Sequence, residues 1–257
     1  MGILNLTVDS FYQASRVNST KELLVRVEKM LVDGAAILDI GAQSTRPGSS
    51  RIPAEEEISR VLPAIESILN TFPEAIISID SYHSSVVKAA VEAGAAMIND
   101  ISGGNLDPEM FNTVASLKVP YVLMHMKGEP GTMQINPHYA DIISEVVHYF
   151  SEKISQLRKL GVSDIILDPG FGFGKTTEHN LQLLRNLQEL HLFGLPVLAG
   201  LSRKKTIQHI LNVPVEETLN GTTAMNTMAL MNGANILRVH DVKEAKQVIE
   251  LYRAMRS

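Results

Sequence analysis

The chain contains no cysteine. Disulfides, thiolate metal sites and a catalytic thiol are therefore excluded, and a reducing compartment fits. Nor is there an apolar run long enough for a bilayer. The longest uncharged stretch, Thr218 to Leu237, is broken by Asn220, Gly221, Thr222, Asn226, Asn232 and Gly233. No signal-peptide pattern is read at the N-terminus, and no Pro/Gly/Ser linker or block of like charge divides the chain. The expectation is a soluble, cytoplasmic chain with one domain over residues 1–257. Positive charge is not in excess either. A net charge of −5 excludes a general attraction to nucleic acid or anionic membranes, so an anionic ligand needs a local site.

What is present is ordinary for a globular protein: 45% apolar and 20% charged residues over 257 positions, about the length of one eight-fold α/β barrel. One local pattern recurs, a helical stretch, a glycine, and a short apolar strand ending in a polar residue. It is seen at DGAAILDI from Asp33, AGAAMIND from Ala93, LGVSDIILD from Leu160 and NGANILRV from Asn232. Glycine takes the left-handed conformation that closes a helix, so each copy marks a helix end followed by a strand. The spacing leaves room for two βα units per interval. The remaining apolar runs give eight strands: Gly2 to Asn5, Ala36 to Asp39, Ile76 to Asp80, Met97 to Asn99, Tyr121 to Met124, Ile165 to Asp168, Val197 to Gly200, and Ile236 to Val239. Strict alternation with helices predicts a parallel sheet, and eight units favour closure into a (β/α)8 barrel over a doubly wound open sheet.

In a barrel, chemistry sits at the C-terminal strand ends. Those ends carry Asn5, Asp39, Asp80, Asn99 with Asp100, His125, Asp168, Ser202 to Lys204, and Arg238 with His240. Any one of them alone reads as a cap or turn residue. Together they describe a mouth for a polar heterocycle and an anion. His125, set between Met124 and Met126, reads as a hydrogen-bonded strand-end residue rather than a catalyst. Other motifs fail. In Gly170-Phe171-Gly172-Phe173-Gly174-Lys175-Thr176, Pro169 stands where a P-loop needs its first glycine, and Lys175 occupies the third glycine position of G-x-G-x-x-G. There is no H-E-x-x-H or G-x-S-x-G, and the eight histidines show no zinc-ligand spacing.

In order, these segments resemble dihydropteroate synthases over nearly the whole chain. They are Met1-Gly2-Ile3-Leu4-Asn5, Asp9-Ser10-Phe11, Ser44-Thr45-Arg46-Pro47-Gly48, Ile79-Asp80-Ser81, Asn99-Asp100-Ile101-Ser102-Gly103, Leu123-Met124-His125-Met126, Asp168 to Lys175, Ser202-Arg203-Lys204-Lys205, and Arg238-Val239-His240-Asp241. The resemblance implies condensation of 6-hydroxymethyl-7,8-dihydropterin diphosphate with 4-aminobenzoate, giving 7,8-dihydropteroate and pyrophosphate. It implies that Asp168 accepts the paired N–H groups of the pterin edge, with Asp80 and Asn99 as further pterin contacts and Lys204 addressing ring acceptors. It implies that Arg238 and His240 hold the diphosphate while Asn5 ligates Mg2+, a hard cation suited to oxygen donors and phosphates. It implies that Thr45, Pro47 and Phe173 wall the aminobenzoate ring, with free N–H groups of a helix headed by Ser202 expected to take its carboxylate, and Arg46, Met124 and Arg203 are further expected substrate-binding residues. Thr45 and Pro47 read equally as loop residues, and Phe173 as core packing. Asn5, Lys204, Arg238 and His240 are the expected catalytic set. The expected partners are the two small substrates, a second copy of the chain in a homodimer, and neither nucleic acid nor membrane.

The first loop departs from the family pattern T-P-D-S-F-S-D-G-G. Thr7-Val8-Asp9-Ser10-Phe11-Tyr12-Gln13-Ala14-Ser15 has Gln13 at the second aspartate, and a neutral amide cannot stabilise a nearby cation as a carboxylate does. Two other functions stay open on the sequence: a non-catalytic pterin-binding paralogue, which Gln13 favours, and a pterin-dependent methyltransferase on the same barrel, which Ser44 to Gly48 and Ser202 to Lys204 disfavour.

Overall fold

A computed structural model describes residues 1–6, 16–43, 51–129 and 131–256. Strand and helix alternate: β1 (Gly2–Asn5), α1 (Arg16–Val32), β2 (Leu38–Gly41), α2 (Ala54–Thr71), β3 (Ile77–Asp80), α3 (Ser84–Glu92), β4 (Met97–Asp100), α4 (Met110–Leu117), β5 (Tyr121–Met124), α5 (Ile142–Lys159) and β6 (Ile165–Asp168). Then come α6 (Thr177–Arg185), β7 (Leu198–Ala199), α7 (Lys205–Leu211), α8 (Leu219–Met231), β8 (Ile236–Leu237) and α9 (Val242–Arg256). β1 to β6 form one parallel ladder in chain order, and β7 and β8 a second. Parallel bridges Leu167↔Val197 and Gly2↔Val239 join the two ladders at both seams, closing a (β/α)8 barrel.

The helices form for local reasons and dock for apolar ones. In α5, Asp141 accepts from the backbone N–H groups of Ile143 and Ser144 at 3.0 and 3.3 Å, capping the first turn. Its buried residues Ile142, Val146, Phe150, Ile154 and Leu157 recur at helical spacing and join the large apolar cluster between strands and helices. Truncating Phe150 to alanine costs about 3–5 kcal/mol on the usual core scale. Among the described residues, no helix is long and apolar enough to cross a membrane.

The barrel interior is built in layers, because alternate residues of a strand face the same way. Met97, Val122, Ile166 and Leu198 are buried together there, with Met1, Ile37 and Ile236 packed against them. Two residues further along their strands stand Asn99, Met124, Asp168, Asp39 and Arg238. The apolar layer is thus a plug, and the layer above it is the floor of the site.

This layering corrects two expectations. β2 runs from Leu38 to Gly41 and not from Ala36 to Asp39. Its register against β1 pairs Gly2 with Leu38 and leaves Ala35 and Ala36 in the connection, so Asp39 lies within the strand and not at its end. Asp100 leaves the mouth. It points out of the barrel and is fully buried, accepting from Tyr121 Oη at 2.8 Å and from the backbone of Ser102 and Gly104 at 2.7 Å each.

Candidate active site

Arg238 is the centre of the site. Its Nε donates to Asp39 Oδ2 at 2.6 Å and a terminal nitrogen donates to Asp80 Oδ2 at 2.5 Å. Asn99 Nδ2 donates to the same Asp39 oxygen at 3.1 Å. Burial pulls the arginine down, but Asp39 and Asp80 outweigh it, so it stays charged. Burial pushes Asp80 above the ordinary carboxylate range, Arg238 opposes this, and Asp39 adds to it. The network leaves buried acceptors without partners, Asp39 Oδ1 and Asn99 Oδ1. Unpaired buried acceptors are costly, and a ligand bearing N–H donors would satisfy them.

Asp168 closes the opposite wall at the end of β6. Its Oδ1 accepts from the Gly170 backbone N–H at 2.7 Å, leaving Oδ2 for a ligand. The loop that follows can be this tight only with glycine. A Cβ on Gly170 would lie 2.0 Å from the His125 carbonyl oxygen, and one on Gly174 2.1 Å from that of Lys127; both residues have positive φ. The loop brings Phe173 into an apolar group with Tyr82, Ile101, Met124, Met126 and Met133. Lys204 Nζ stands 4.4 Å from the centre of the Phe173 ring. Burial first, and Arg238 second, lower the Lys204 ammonium to about 8. Lys175 is fully engaged inside the loop, bonded to carbonyls and to His125.

Ser202, Arg203 and Lys204 follow β7. The helix expected to begin at Ser202 begins at Lys205, with Lys204 as its cap. Arg203 has φ 55, a left-handed conformation that a right-handed helix cannot contain. The Arg203 side chain turns to Asp241, which it grips through Nε at 2.9 Å and a terminal nitrogen at 2.7 Å, with a third bond to the Val215 carbonyl. Ser202 Oγ accepts from the His240 backbone N–H at 3.1 Å and lies 3.0 Å from His240 Nδ1. The hydroxyl can accept from Nδ1–H or donate to Nδ1, and the second arrangement is the one that puts the imidazole proton on Nε2. Burial, followed by the neighbouring Arg238, holds His240 below its usual value, so it is a neutral donor.

Asn5 ends β1, exposed, on the strand that pairs with the β8 segment through Val239. Among the described residues no three His, Cys, Asp or Glu side chains gather as ligands for an ion. One amide oxygen at the end of β1 fits a cation that takes its other ligands from phosphate and water. Thr45, Arg46 and Pro47, and the Gln13 position, lie outside the described residues. The structure thus brings Asp80, Asn99, Met124, Asp168, Phe173, Lys204, Arg238, Ser202 and His240 to one end of the barrel, and assigns the guanidinium of Arg203 to Asp241.

Sequence reasoning gave no role to Asp39, Lys175 or Glu57. The first had a signal, a carboxylate flanked by apolar residues inside a buried strand. Lys175 had one too, in a glycine run that failed both nucleotide motifs. Glu57 had no signal, being one of three consecutive glutamates in the first turn of α2, and only the fold buries it completely, beside Ser81 and Asp80.

A family profile described as pterin binding enzyme matches residues 1–240. The chain is 43% identical over 256 residues to dihydropteroate synthase of Escherichia coli (strain K12), covering 99% of this chain and 90% of the relative. Among solved structures it is similar to the Yersinia pestis dihydropteroate synthase in a sulfonamide drug complex, at 40% identity and TM-score 0.93, covering 100% and 93% of the two chains. The Xanthomonas albilineans enzyme in complex with 7,8-dihydropteroate superimposes with TM-score 0.89 at 36% identity, covering 100% of this chain and 93% of that one.

Proposed function

The chain belongs to the dihydropteroate synthases of the pterin-binding enzyme family, and we propose the following division of labour for its residues. The reaction joins 6-hydroxymethyl-7,8-dihydropterin diphosphate to 4-aminobenzoate, with loss of pyrophosphate, as a step of folate synthesis. The observation that carries the assignment of residues is the acceptor-rich floor: Asp39 Oδ1 and Asn99 Oδ1 unpaired beneath the mouth, with Asp168 Oδ2 on the facing wall. A 2-amino-4-oxo pterin presents adjacent N–H donors to such a floor. Asp168 takes the paired donors and Asn99 Oδ1 a further one, while Lys204 donates to the ring's own acceptors and lies against Phe173.

Cleavage of the carbon–oxygen bond at the pterin methylene moves charge onto the departing diphosphate. Electrostatic stabilisation of that oxygen is the main demand, and fixed donors meet it without reorganisation. Arg238, oriented by Asp39 and Asp80, and the Nε2–H of neutral His240 are those donors. The cation left on the methylene is delocalised into the electron-rich ring, with Asp80 and Asp168 nearby. The unprotonated aromatic amine then attacks, so no side chain has to serve as nucleophile or strong base. Mg2+ bound at Asn5 and the diphosphate would neutralise phosphate charge. Ser202 and the backbone before α7 face the aminobenzoate carboxylate, with Thr45, Arg46 and Pro47 completing that subsite. A homodimer is the assembly that suits α7 and α8, which leave Ile210, Leu211, Met228 and Met231 exposed.

The test is an assay with the pterin diphosphate, Mg2+ and 4-aminobenzoate: pyrophosphate and dihydropteroate are expected in equal amounts. Pterin binding without turnover would instead identify a paralogue that only binds, and sulfonamides are expected to compete with aminobenzoate.

A further inference from the structure

Lys175 is 3% exposed, and among the described residues no carboxylate lies within ion-pair distance of it. A buried ammonium without a counter-ion costs several kcal/mol unless hydrogen bonds and a nearby field offset it. Its Nζ lies 3.0 Å from the Gly170 carbonyl oxygen, 3.0 Å from that of Phe173, 3.2 Å from that of His125 and 2.9 Å from His125 Nδ1. The nitrogen faces four polar atoms, of which the three carbonyls can take the three donors of an ammonium; burial lowers Lys175 to about 7, and Asp168 draws it back up. His125 is held far below its usual value by burial and then by Lys175, so it remains neutral beside the cation.

These contacts tie the end of β5 to both halves of the loop after β6. The same Gly170 that gives its carbonyl to Lys175 gives its N–H to Asp168 Oδ1, and the same Phe173 that gives its carbonyl places its ring under Lys204. Asp168 is itself pushed up by burial and drawn down by Gly170, Lys204, Arg238 and Lys175. Two of those three cations have other work, Lys204 at the pterin ring and Arg238 between Asp39 and Asp80. Lys175 reaches neither solvent nor substrate.

We propose that Lys175 is a positioning residue of the site: its contacts shape the loop that aims Asp168 and Phe173 at the pterin, and its ammonium adds to the positive field that Lys204 and Arg238 set up about Asp168. The proposal rests on the reading of Asp168 as the pterin contact. The groups facing Asp168 are Lys204 from the start of α7, Arg238 from β8, neutral His125 from the end of β5, and Lys175.

The absence of cysteine makes a direct test available. Lys175→Cys carries the only thiol of the chain. Alkylation in denaturant with 2-bromoethylamine, then refolding, restores an ammonium of nearly lysine length, and bromoethane gives the neutral counterpart. Lys175→Met is expected to bind pterin at least about tenfold more weakly, with kcat at saturating pterin within about threefold of the parent. The aminoethyl form is expected to recover affinity to within about threefold and the ethyl form not to recover it. In Lys175→Met the acid limb of pterin binding is expected to move to higher pH, because Asp168 has lost a cation, a change that a packing role alone does not produce. Lys175→Met affinity within about threefold of the parent overturns the proposal, as do equal affinities for the two alkylated forms. So does failure of every variant to fold while the parent survives the same cycle, which would give the side chain to the fold and not to the site. Asp168→Ala separates the two readings: if it keeps pterin affinity, the assignment of Asp168 fails, and if it loses affinity while Lys175→Met does not, the positioning role fails.

Discussion

Arg238 Nε donates to Asp39 Oδ2 at 2.6 Å across 199 residues of sequence. The same carboxylate oxygen holds the Asn99 amide, so one buried group orients both a leaving-group donor and a pterin contact. Asp39→Asn would turn an N–H group or a neutral oxygen toward the guanidinium and release it. Because breaking a buried ion pair by changing one partner costs about 3–5 kcal/mol, kcat/KM is expected to fall by at least about 30-fold. Steady-state kinetics beside a melting curve checks this, since a loss confined to thermal stability would show Asp39 to be a structural residue.

His240 is proposed above as a neutral donor through Nε2. Glutamine carries an amide N–H at a similar reach and alanine carries nothing. His240→Gln is therefore expected to keep kcat within about tenfold of the parent, and His240→Ala to lose roughly a hundredfold, in the range seen for a lost transition-state donor. Burial and Arg238 keep the parent imidazole neutral at assay pH, so no His240 ionisation is expected in the kcat profile between about pH 6 and 8. Equal losses in the two variants would remove the donor role.

Glu57, in the first turn of α2, is a fully buried carboxyl group beside Ser81 and Asp80, raised by burial to about 7. A folded value above the unfolded one means that the folded chain holds its proton where the unfolded chain has released it. Stability is therefore greatest below the unfolded value of about 4.5 and falls as pH rises towards about 7. The contribution lost over that window is about 3 kcal/mol. Glu57→Gln is expected to flatten this slope, as read from urea midpoints at acid and neutral pH, and a slope unchanged by the substitution would rule the group out as its source.

Gln13 stands where the family carries an aspartate. A carboxylate near the methylene cation is worth more in the transition state than in the ground state. Gln13→Asp is expected to raise kcat with little change in pterin affinity; an unchanged kcat would show that the amide serves as well.

The eight strands were legible because each is a short apolar run set off by a glycine-closed helix. The polar groups at their ends were legible because a barrel has only one chemical end. What escaped was whatever depends on which face of a strand, or which turn of a loop, a residue occupies. Asp100 is two residues from Ile98 and faces outward with it, whereas Asn99 faces in, a difference that needs the register. The start of α7 was misplaced because nothing in Ser202-Arg203-Lys204 announces a left-handed arginine. Lys175 looked like a failed phosphate loop because its partners are carbonyls, and carbonyls have no sequence signature. Asp39 was visible as a charge but not as a hub, since both of its partners lie in distant strands.

The two hydrogen-bonded ladders divide the reaction between them. Asp80, Asn99 and Asp168, proposed above to contact the heterocycle, all ride on the continuous six-stranded ladder, whereas Lys204, Arg238 and His240 follow the strands of the β7–β8 pair. At one seam Leu167 bonds to Pro196, and at the other Ile3 and Val239 bond to Val239 and Met1. On these assignments the leaving-group donors belong wholly to the half attached along two narrow edges, whereas the ring is held from both halves, with Lys204 reaching it from across the seam. An inhibitor spanning both halves would act as a staple across the seams, whereas one filling only the pterin floor would leave them free.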